Sequence, residues 1–229
     1  MQLFNYERIR PWFDYLFQGL NITLSLAFLA AIFGIMLGIL LNVMSRGRIA
    51  KKIAFAYVDI FRGTPIILQL SMVYFAMPRL IGTLAQTYLG YTRPILLTAF
   101  TASIITFSLN SGAYISEIIR SGVNSVDPGE IEAAKALGVK KFFVYKDIIL
   151  PTAFRNAFPA LMNELITLVK ESSIVSVIGL QDLMRRQQIV TSQTFMYFEP
   201  LIVIGLIYYV VVKIMSYLGN WLEKRWSYV

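Results

Sequence analysis

Two residue types that carry much of protein chemistry are absent from this sequence of 229 residues. It contains no cysteine, which excludes disulfides, thiolate nucleophiles and cysteine-bound metals. It contains no histidine, the commonest metal ligand and the usual proton-transfer side chain near neutral pH. A phosphate-binding loop of the form GxxxxGK[ST] is missing as well. We therefore expect this chain to be neither an enzyme nor the carrier of a metal or cofactor.

Charged residues are scarce, which excludes an ordinary soluble domain. They make up 15% of the chain, against about 25% in soluble proteins. Apolar residues reach 57%, and the mean hydropathy is +0.62. Several apolar runs are about 20 residues long, enough to cross a lipid bilayer as helices. The composition thus predicts an all-α membrane protein. The net charge of +8 is attributed to cytoplasmic loops facing anionic lipid, with no nucleic-acid partner.

Five apolar runs predict five transmembrane helices, and residues 1–229 are interpreted as one membrane domain. The predicted spans cover about residues 20–44, 55–78, 95–119, 157–180 and 198–218. In the first span Ala30, Gly34 and Gly38 recur at one-turn spacing, which favours close approach of another helix, although space-filling is an equal alternative. This span is too long and begins too far into the chain for a cleaved signal peptide.

Lysine and arginine are divided unequally between the two sets of predicted loops. The loops after spans one, three and five hold twelve basic residues, and the opposite set holds six. Because basic residues accumulate on the cytoplasmic side, the N-terminus is predicted outside and the C-terminus inside. The twelve are Arg46, Arg48, Lys51, Lys52, Arg120, Lys135, Lys140, Lys141, Lys146, Arg155, Lys224 and Arg225.

A polar and basic segment, residues 127–151, interrupts the apolar chain between spans three and four. Asp127 is a predicted N-cap, Pro128 suits the first helical position, and Gly138 is a natural helix end. The segment therefore begins with a short helix on the predicted cytoplasmic side.

One face of this short helix carries little side-chain bulk. Ala133, Ala134 and Leu137 share that face at helical spacing, which suits insertion into a groove on another protein. The following stretch, KKFFVYKDIIL, predicts a second helix that lies at the membrane interface and stops before Pro151. From the residues alone, a solvated connecting loop remains an equal alternative.

The same segment resembles the EAA signature of permease subunits of ABC importers. The matching residues are Glu132-Ala133-Ala134, Gly138, Ile148 and Leu150-Pro151. In that family this loop is the coupling helix, which docks into a cleft on a separate ATPase subunit. The resemblance implies a coupling function for Glu132, Ala133, Ala134, Leu137 and Gly138.

Three further stretches resemble the subfamily that imports polar amino acids, and the resemblance runs from about Gly19 to Arg225. The stretches are FRGTPIILQL, NSGAYISEIIRSG and KESSIVSVIG. The resemblance implies a bacterial or archaeal cell membrane and alternating access driven by ATP and Mg²⁺ on a partner ABC ATPase. It also implies an extracytoplasmic amino-acid-binding protein, membrane lipid as surroundings, and a second copy of this permease or a homologous one.

Span four contains three ionisable residues at predicted bilayer depth. Each costs at least about 2.5–3.5 kcal/mol there, so such residues usually serve a function. At helical spacing Glu164, Thr167 and Glu171 share one face, with Lys170 adjacent. A zwitterionic amino acid carries the two charges that a carboxylate and Lys170 complement, which makes these four residues candidates for the substrate pathway. The alternative is an internal Lys–Glu pair that only fixes helix packing.

Spans three and two supply the remaining candidates for the pathway. In span three they are Asn110, Ser111, Tyr114 and Glu117, and in span two Gln69. Spacings of four and three place Asn110, Tyr114 and Glu117 on one face. Near the inner end of span two the sequence Arg62-Gly63-Thr64-Pro65 predicts a kink, whose freed backbone groups must face protein or water.

Two other functions compete with the permease subunit. A stand-alone secondary transporter or channel subunit for small polar solutes predicts internal repeats and more spans, and no repeat is evident. An intramembrane enzyme would depend on carboxylates and serines, without a recognisable hydrolase motif. Between spans four and five, Asp182, Arg185 and Arg186 lie in an external segment predicted either to dock a binding protein or to be a solvated connector.

Overall fold

The computed structural model of the chain describes residues 4–45, 47–91 and 93–227, except for the side chains of residues 226 and 227. Within these ranges all regular structure is helical, with no strand, as the composition predicts. Arg46, one of the basic residues used to orient the loops, lies outside the described residues.

The described part of the chain contains eight helices of nine residues or more. They are α1 (Phe13–Met44), α2 (Arg48–Gly63), α3 (Ile66–Leu89), α4 (Ala99–Asn124), α5 (Pro128–Ala136), α6 (Leu150–Glu171), α7 (Leu183–Thr194) and α8 (Phe198–Ser227). Two short turns, Tyr6–Ile9 and Arg10–Trp12, precede α1. A wider π-helical turn lies inside α3 at Met72–Ala76.

Three helical stretches are long and apolar enough to cross a membrane among the described residues: Tyr6–Met44, Ile66–Leu89 and Phe198–Arg225. The helices α4 and α6 have 26 and 22 residues, so at 1.5 Å per residue they are about 39 and 33 Å long, which also exceeds a hydrocarbon core of about 30 Å. Both carry more polar side chains than the other three, because α4 and α6 pack against other helices over much of their surface. The count of five spans stays a prediction.

The predicted second span, residues 55–78, is wrong in its position. The helix α2 ends at Gly63, Thr64 and Pro65 are extended, and α3 begins at Ile66. Proline cannot continue a helix and pushes the residue before it out of helical conformation. The predicted kink is therefore a complete break. It separates the apolar span, α3, from an amphipathic helix that carries Lys51 and Lys52.

The predicted stop before Pro151 is also wrong. Helical backbone runs from Lys141–Phe143 through a π-helical turn, Val144–Ile149, directly into α6, with Pro151 in the first turn of that helix. Proline is tolerated in a first helical turn, where its missing N–H is not needed. At its other end α6 tightens into a 3₁₀ helix, Ser172–Ile178, before the predicted end of span four at residue 180.

The helix α4 lies at the centre of the bundle, where it contacts α1, α2, α3 and α6. Its contact with α1 is unusually close. A Cβ atom added to Gly38 would lie 2.7 Å from Ile115, and one added to Gly112 would lie 2.7 Å from Leu37. The predicted close approach at Gly34 and Gly38 is thus confirmed, and α1 and α4 form a tight pair.

Two apolar clusters hold the other helices around this pair. The first joins α1, α3, α4 and α6 through Leu26, Leu70, Phe107 and Leu168. The second joins the N-terminal turns, the start of α1, α7 and α8 through Ile9, Leu16, Val190 and Ile204. Large apolar side chains outside the clusters are exposed, as expected for a surface that faces lipid: Phe28, Met36, Leu84 and Leu206 are examples.

Candidate functional site

Two predicted pathway residues meet across the contact between α4 and α6. The Ser111 hydroxyl donates a hydrogen bond to Glu164 Oε1 at 2.8 Å. Ser111 is fully buried and packs beside Gly34 of α1, where a larger residue would collide with it. Glu164 is partly buried. A carboxylate is thereby held in a fixed direction inside the helix bundle, facing a serine rather than a cation.

The other predicted pathway residues of α6 lie toward the end of that helix. Thr167 and Glu171 are partly buried, whereas Lys170 is exposed. Among the described residues no direct ion pair joins Lys170 to Glu164 or Glu171. The internal Lys–Glu pair, which was the alternative interpretation of these charges, is therefore not a direct contact in the described chain.

Gln69 and Asn110 are brought together at the break between α2 and α3. Gln69 Nε2 donates to the Phe61 carbonyl at 2.9 Å, the Thr64 carbonyl at 3.1 Å and the Thr64 hydroxyl at 2.8 Å. Asn110 Nδ2 donates to Phe61 O and to Gln69 Oε1, both at 3.1 Å. Both side chains are buried. They satisfy the carbonyl groups that the Pro65 break releases, so the two amides work as a clamp on the backbone.

Tyr114 and Glu117 contact the end of α2. Glu117 pairs with Arg62 of α2 at 3.4 Å and with Arg120 on its own helix. The Arg62 guanidinium lies 5.3 Å from the centre of the Tyr114 ring, and the Arg120 guanidinium 5.2 Å from the Phe55 ring. This charged cluster joins α2 to α4 near the predicted cytoplasmic end of the bundle.

The predicted pathway residues therefore form two groups and not one surface. The face of α4 with Asn110, Tyr114 and Glu117 packs against α2 and the break after it. Ser111, on the next face, is the residue of α4 that reaches Glu164 of α6. Helical spacing identified residues on one face but not the helix that this face contacts.

The first helix of residues 127–151, the predicted coupling segment, begins and ends at the predicted residues. Asp127 Oδ1 accepts a hydrogen bond from Gly129 N at 2.8 Å, and α5 starts at Pro128. Gly138 has φ of +74°, a left-handed conformation that favours glycine. The Val139 N–H reaches back to the Ala134 carbonyl at 3.1 Å and closes the helix end. The predictions for Asp127, Pro128 and Gly138 are confirmed.

The structure divides the predicted face of small side chains. Ala134 is buried within the chain, against the helical turn that leads into α6. Glu132 and Ala133 are exposed, and Leu137 is 84% exposed. The prediction that Ala134 shares an outward face with Ala133 and Leu137 is thus wrong, because Ala134 packs against the turn before α6.

The segment before α8, which is predicted to be external, is more tightly held than a solvated connector. Asp182 is fully buried as the N-cap of α7, where it accepts hydrogen bonds from the N–H groups of Met184 and Arg185. Burial raises the pKa of the Asp182 carboxyl to about 6, although those N–H donors oppose the rise. Arg186 donates to the Tyr15 carbonyl at 3.0 Å and to Gln18 of α1 at 3.1 Å. Asp182 therefore cannot present its charge to a docking protein.

Sequence reasoning missed two polar residues that fix α4. Asn42 of α1 donates to the Ser116 carbonyl at 2.8 Å, and the Tyr57 hydroxyl of α2 donates to the Leu109 carbonyl at 2.7 Å. A lone amide within an apolar run was the available signal for Asn42.

Among the described residues no group of three or more acidic side chains is placed to hold a metal ion.

A model of one protein family matches residues 34–228. Its description is "Binding-protein-dependent transport system inner membrane component". The match covers both the Ser111–Glu164 contact and the coupling segment.

Individual relatives align along nearly the whole chain. A protein of Rickettsia bellii that carries the name of a glutamine transport system permease is 46% identical over 220 residues, 95% of each chain. An arginine transport system permease of Bacillus subtilis is 46% identical over 217 residues, 94% of each chain. The crystal structure of an amino acid ABC transporter with histidines superposes with a TM-score of 0.86 at 37% identity, over 98% of this chain and all of that one.

Proposed function

This chain belongs to the family of inner membrane components of binding-protein-dependent transport systems, and on that premise we propose that it is the permease subunit of an ATP-driven importer of polar amino acids. The observation that carries the proposal is the end-to-end similarity to permeases named for glutamine and arginine. In this function the chain forms a translocation pathway and hydrolyses nothing itself. ATP and Mg²⁺ would bind to a separate ABC ATPase.

The coupling segment is the proposed contact with that ATPase. Leu137 at the end of α5 is 84% exposed, and Phe142 just beyond it is 68% exposed. Apolar side chains that project from a polar, basic segment favour a protein partner that covers them. Glu132, Ala133, Leu137 and Gly138 would form the docked end, and the buried Ala134 would hold α5 against the turn before α6.

Substitution of Leu137 by glutamate tests this contact. We expect Leu137→Glu to lose co-purification of the ATPase and ATP-driven uptake while the permease still accumulates in the membrane. Burial of a leucine contributes about 1.5–3 kcal/mol, so the loss of association should exceed tenfold. The measurement is the amount of ATPase recovered with a tagged permease.

Leu96→Glu is the matched control, because Leu96 is equally exposed at 84% but precedes α4 on the opposite predicted side. It should leave ATPase recovery unchanged. Normal recovery with Leu137→Glu would show that the coupling contact lies elsewhere.

The substrate pathway is proposed along Ser111, Glu164, Thr167, Lys170 and Glu171. Glu164 lacks an ion-pair partner in the described chain, and Lys170 is exposed. An amino acid in transit offers an ammonium group to the carboxylates and a carboxylate to Lys170. A second group, Gln69, Asn110, Tyr114 and Glu117, would hold the wall of the pathway through α2 rather than contact the substrate.

The remaining features of the transporter are proposed from the same premise. The chain would cross the membrane five times, through α1, α3, α4, α6 and α8, with its N-terminus outside. One permease offers only one side of a pathway, so a second copy or a homologous permease would complete it. An amino-acid-binding protein would dock on the outer surface, to which α7 contributes exposed residues such as Ser192 and Gln193.

A further inference from the structure

An apolar cavity of about 300 Å³ lies between α1, α4 and α6, and none of the proposed pathway residues lines it. Its walls come from successive turns of the three helices. Representative lining residues are Ile39 and Val43 of α1, Ile119 and Val123 of α4, and Leu150 and Phe154 of α6. Apart from Asn42 and Tyr145, every lining side chain is apolar.

The side chain of the polar lining residue Asn42 already forms hydrogen bonds within the cavity wall. Its Nδ2 donates to the carbonyl groups of Gly38 at 3.0 Å and Ser116 at 2.8 Å, and to the Ser116 hydroxyl at 3.2 Å. A polar amino acid would lose its hydrogen bonds to water in such a space and regain few. The cavity therefore suits a hydrocarbon chain and not the transported solute.

Basic residues lie close in the chain to one lining residue of the cavity. That residue is Tyr145, in the helical turn that joins the coupling segment to α6. Lys141 stands one helical turn before Tyr145 and shares its face. Lys140 and Lys146 flank these two residues, and all three lysines are exposed. The three lysines thus lie within five residues of an aromatic lining residue, and apart from Asn42 the rest of the lining is apolar.

We propose that the cavity binds an acyl chain of an anionic phospholipid, with the lipid phosphate beside Lys140 and Lys141. Exposed cations close to an aromatic lining residue, together with an otherwise apolar cavity, complement a lipid whose anionic head adjoins its hydrocarbon tail. Exposed basic residues at the cytoplasmic surface attract anionic headgroups, and tyrosine is enriched at headgroup level. The bound lipid would brace the turn between α5 and α6, through which the coupling segment joins the bundle.

The test measures lipid bound to the full chain, purified in detergent with the subunits that accompany it. Phosphatidylglycerol is the anionic probe and phosphatidylcholine the neutral one. Ile39→Trp fills the cavity, and Lys141→Gln removes a headgroup partner. Both should bind less phosphatidylglycerol, by about fivefold for the loss of one lysine. Both should also lose the rise in melting temperature that this lipid gives the unsubstituted protein.

Matched controls are Ile32→Trp and Lys52→Gln, which should keep the wild-type response. Ile32 is on the same helix and 39% exposed, against 51% for Ile39, but does not line the cavity. Lys52 is an exposed lysine on α2.

Equal responses to the two lipids, or unchanged phosphatidylglycerol binding in Lys141→Gln, would overturn the proposal. So would an Ile39→Trp protein that keeps its lipid but loses one permease copy, because the cavity would then be an interface between subunits.

Discussion

At the scale of single residues, Glu164 combines partial burial with a neutral partner, Ser111. A carboxylate at that depth needs hydrogen bonds or a counter-charge, and the described chain supplies only the hydrogen bond. The ammonium group of a passing amino acid is the counter-charge that the proposed function provides. The charge of Glu164 would thus destabilise the transporter when no substrate is bound, and the bound amino acid would remove that cost.

Replacement of Glu164 by glutamine tests this interpretation. Glutamine keeps a carbonyl that accepts from Ser111, so the protein should accumulate normally. Loss of a charged hydrogen bond, about 1.5–3 kcal/mol, should weaken the apparent affinity for the transported amino acid about tenfold or more. The measurement is the concentration dependence of uptake into vesicles, and Glu223→Gln, an exposed position on α8, is the control. Unchanged uptake in Glu164→Gln would place the substrate contact elsewhere.

Asp182 predicts a pH dependence of stability. Its pKa is raised from 3.8 to about 6 by burial, so the folded protein holds this proton more tightly than the unfolded chain does. The stabilisation is fully present below 3.8 and is lost as the pH rises through about 6. Relative to Asp182→Asn, which keeps the N-cap, the wild type should lose up to about 3 kcal/mol across that interval.

Melting temperatures measured on either side of that interval check this prediction. The exposed N-cap Asp127 gives the matched control Asp127→Asn, which should leave the wild-type dependence in place. If Asp182→Asn melts with the same pH dependence as the wild type, the buried carboxyl is not its source.

At the scale of helices, the break between α2 and α3 is held by side-chain hydrogen bonds from Gln69 and Asn110. Gln69→Leu would leave the Thr64 carbonyl without its side-chain donor and Asn110 without its Gln69 acceptor, while the Phe61 carbonyl would keep only the Asn110 donor. An unpaired buried polar group costs about 1–3 kcal/mol, so the transporter should melt at a lower temperature. Gln86→Leu, the same substitution at an exposed position on the same helix, should change little. Equal melting of the two variants would contradict a clamp function for Gln69.

Helix ends with strong local signals could be predicted from the sequence. Asp127, Pro128 and Gly138 act on the helix end at which they lie, and all three are placed as predicted. Pro65 was predicted to kink a span and instead divides it, because Thr64 and Pro65 are both extended. The passage of helical backbone through the π turn before Pro151 accompanies packing of α5 against that turn. Local sequence does not contain that information.

Candidate site residues were predictable by type but not by partner. Spacing placed Asn110, Tyr114 and Glu117 together, yet it could not tell that α2 meets this face while α6 meets Ser111. The direction in which a face points is a tertiary property. For the same reason, the inward turn of Ala134 was not foreseen.

At the scale of the whole molecule, the proposed orientation makes a prediction that the cysteine-free sequence renders simple to test. A cysteine at Lys140, in the coupling segment, should be protected from an impermeant thiol reagent in intact cells. A cysteine at Ser192, exposed on α7, should react. Both should react after the membrane is opened, which controls for accessibility. The reverse pattern would overturn the five-span arrangement with an external N-terminus.

The close pairing of α1 with α4 has a consequence for how this family can vary. Gly38 receives Ile115, and Gly112 receives Leu37, so each helix supplies both a notch and a projection. A residue larger than glycine fits at position 38 or 112 only if the side chain that faces it, at position 115 or 37, is smaller in the same protein. We therefore expect positions 38 and 115, and likewise 37 and 112, to change together among relatives, as linked pairs in their evolutionary history.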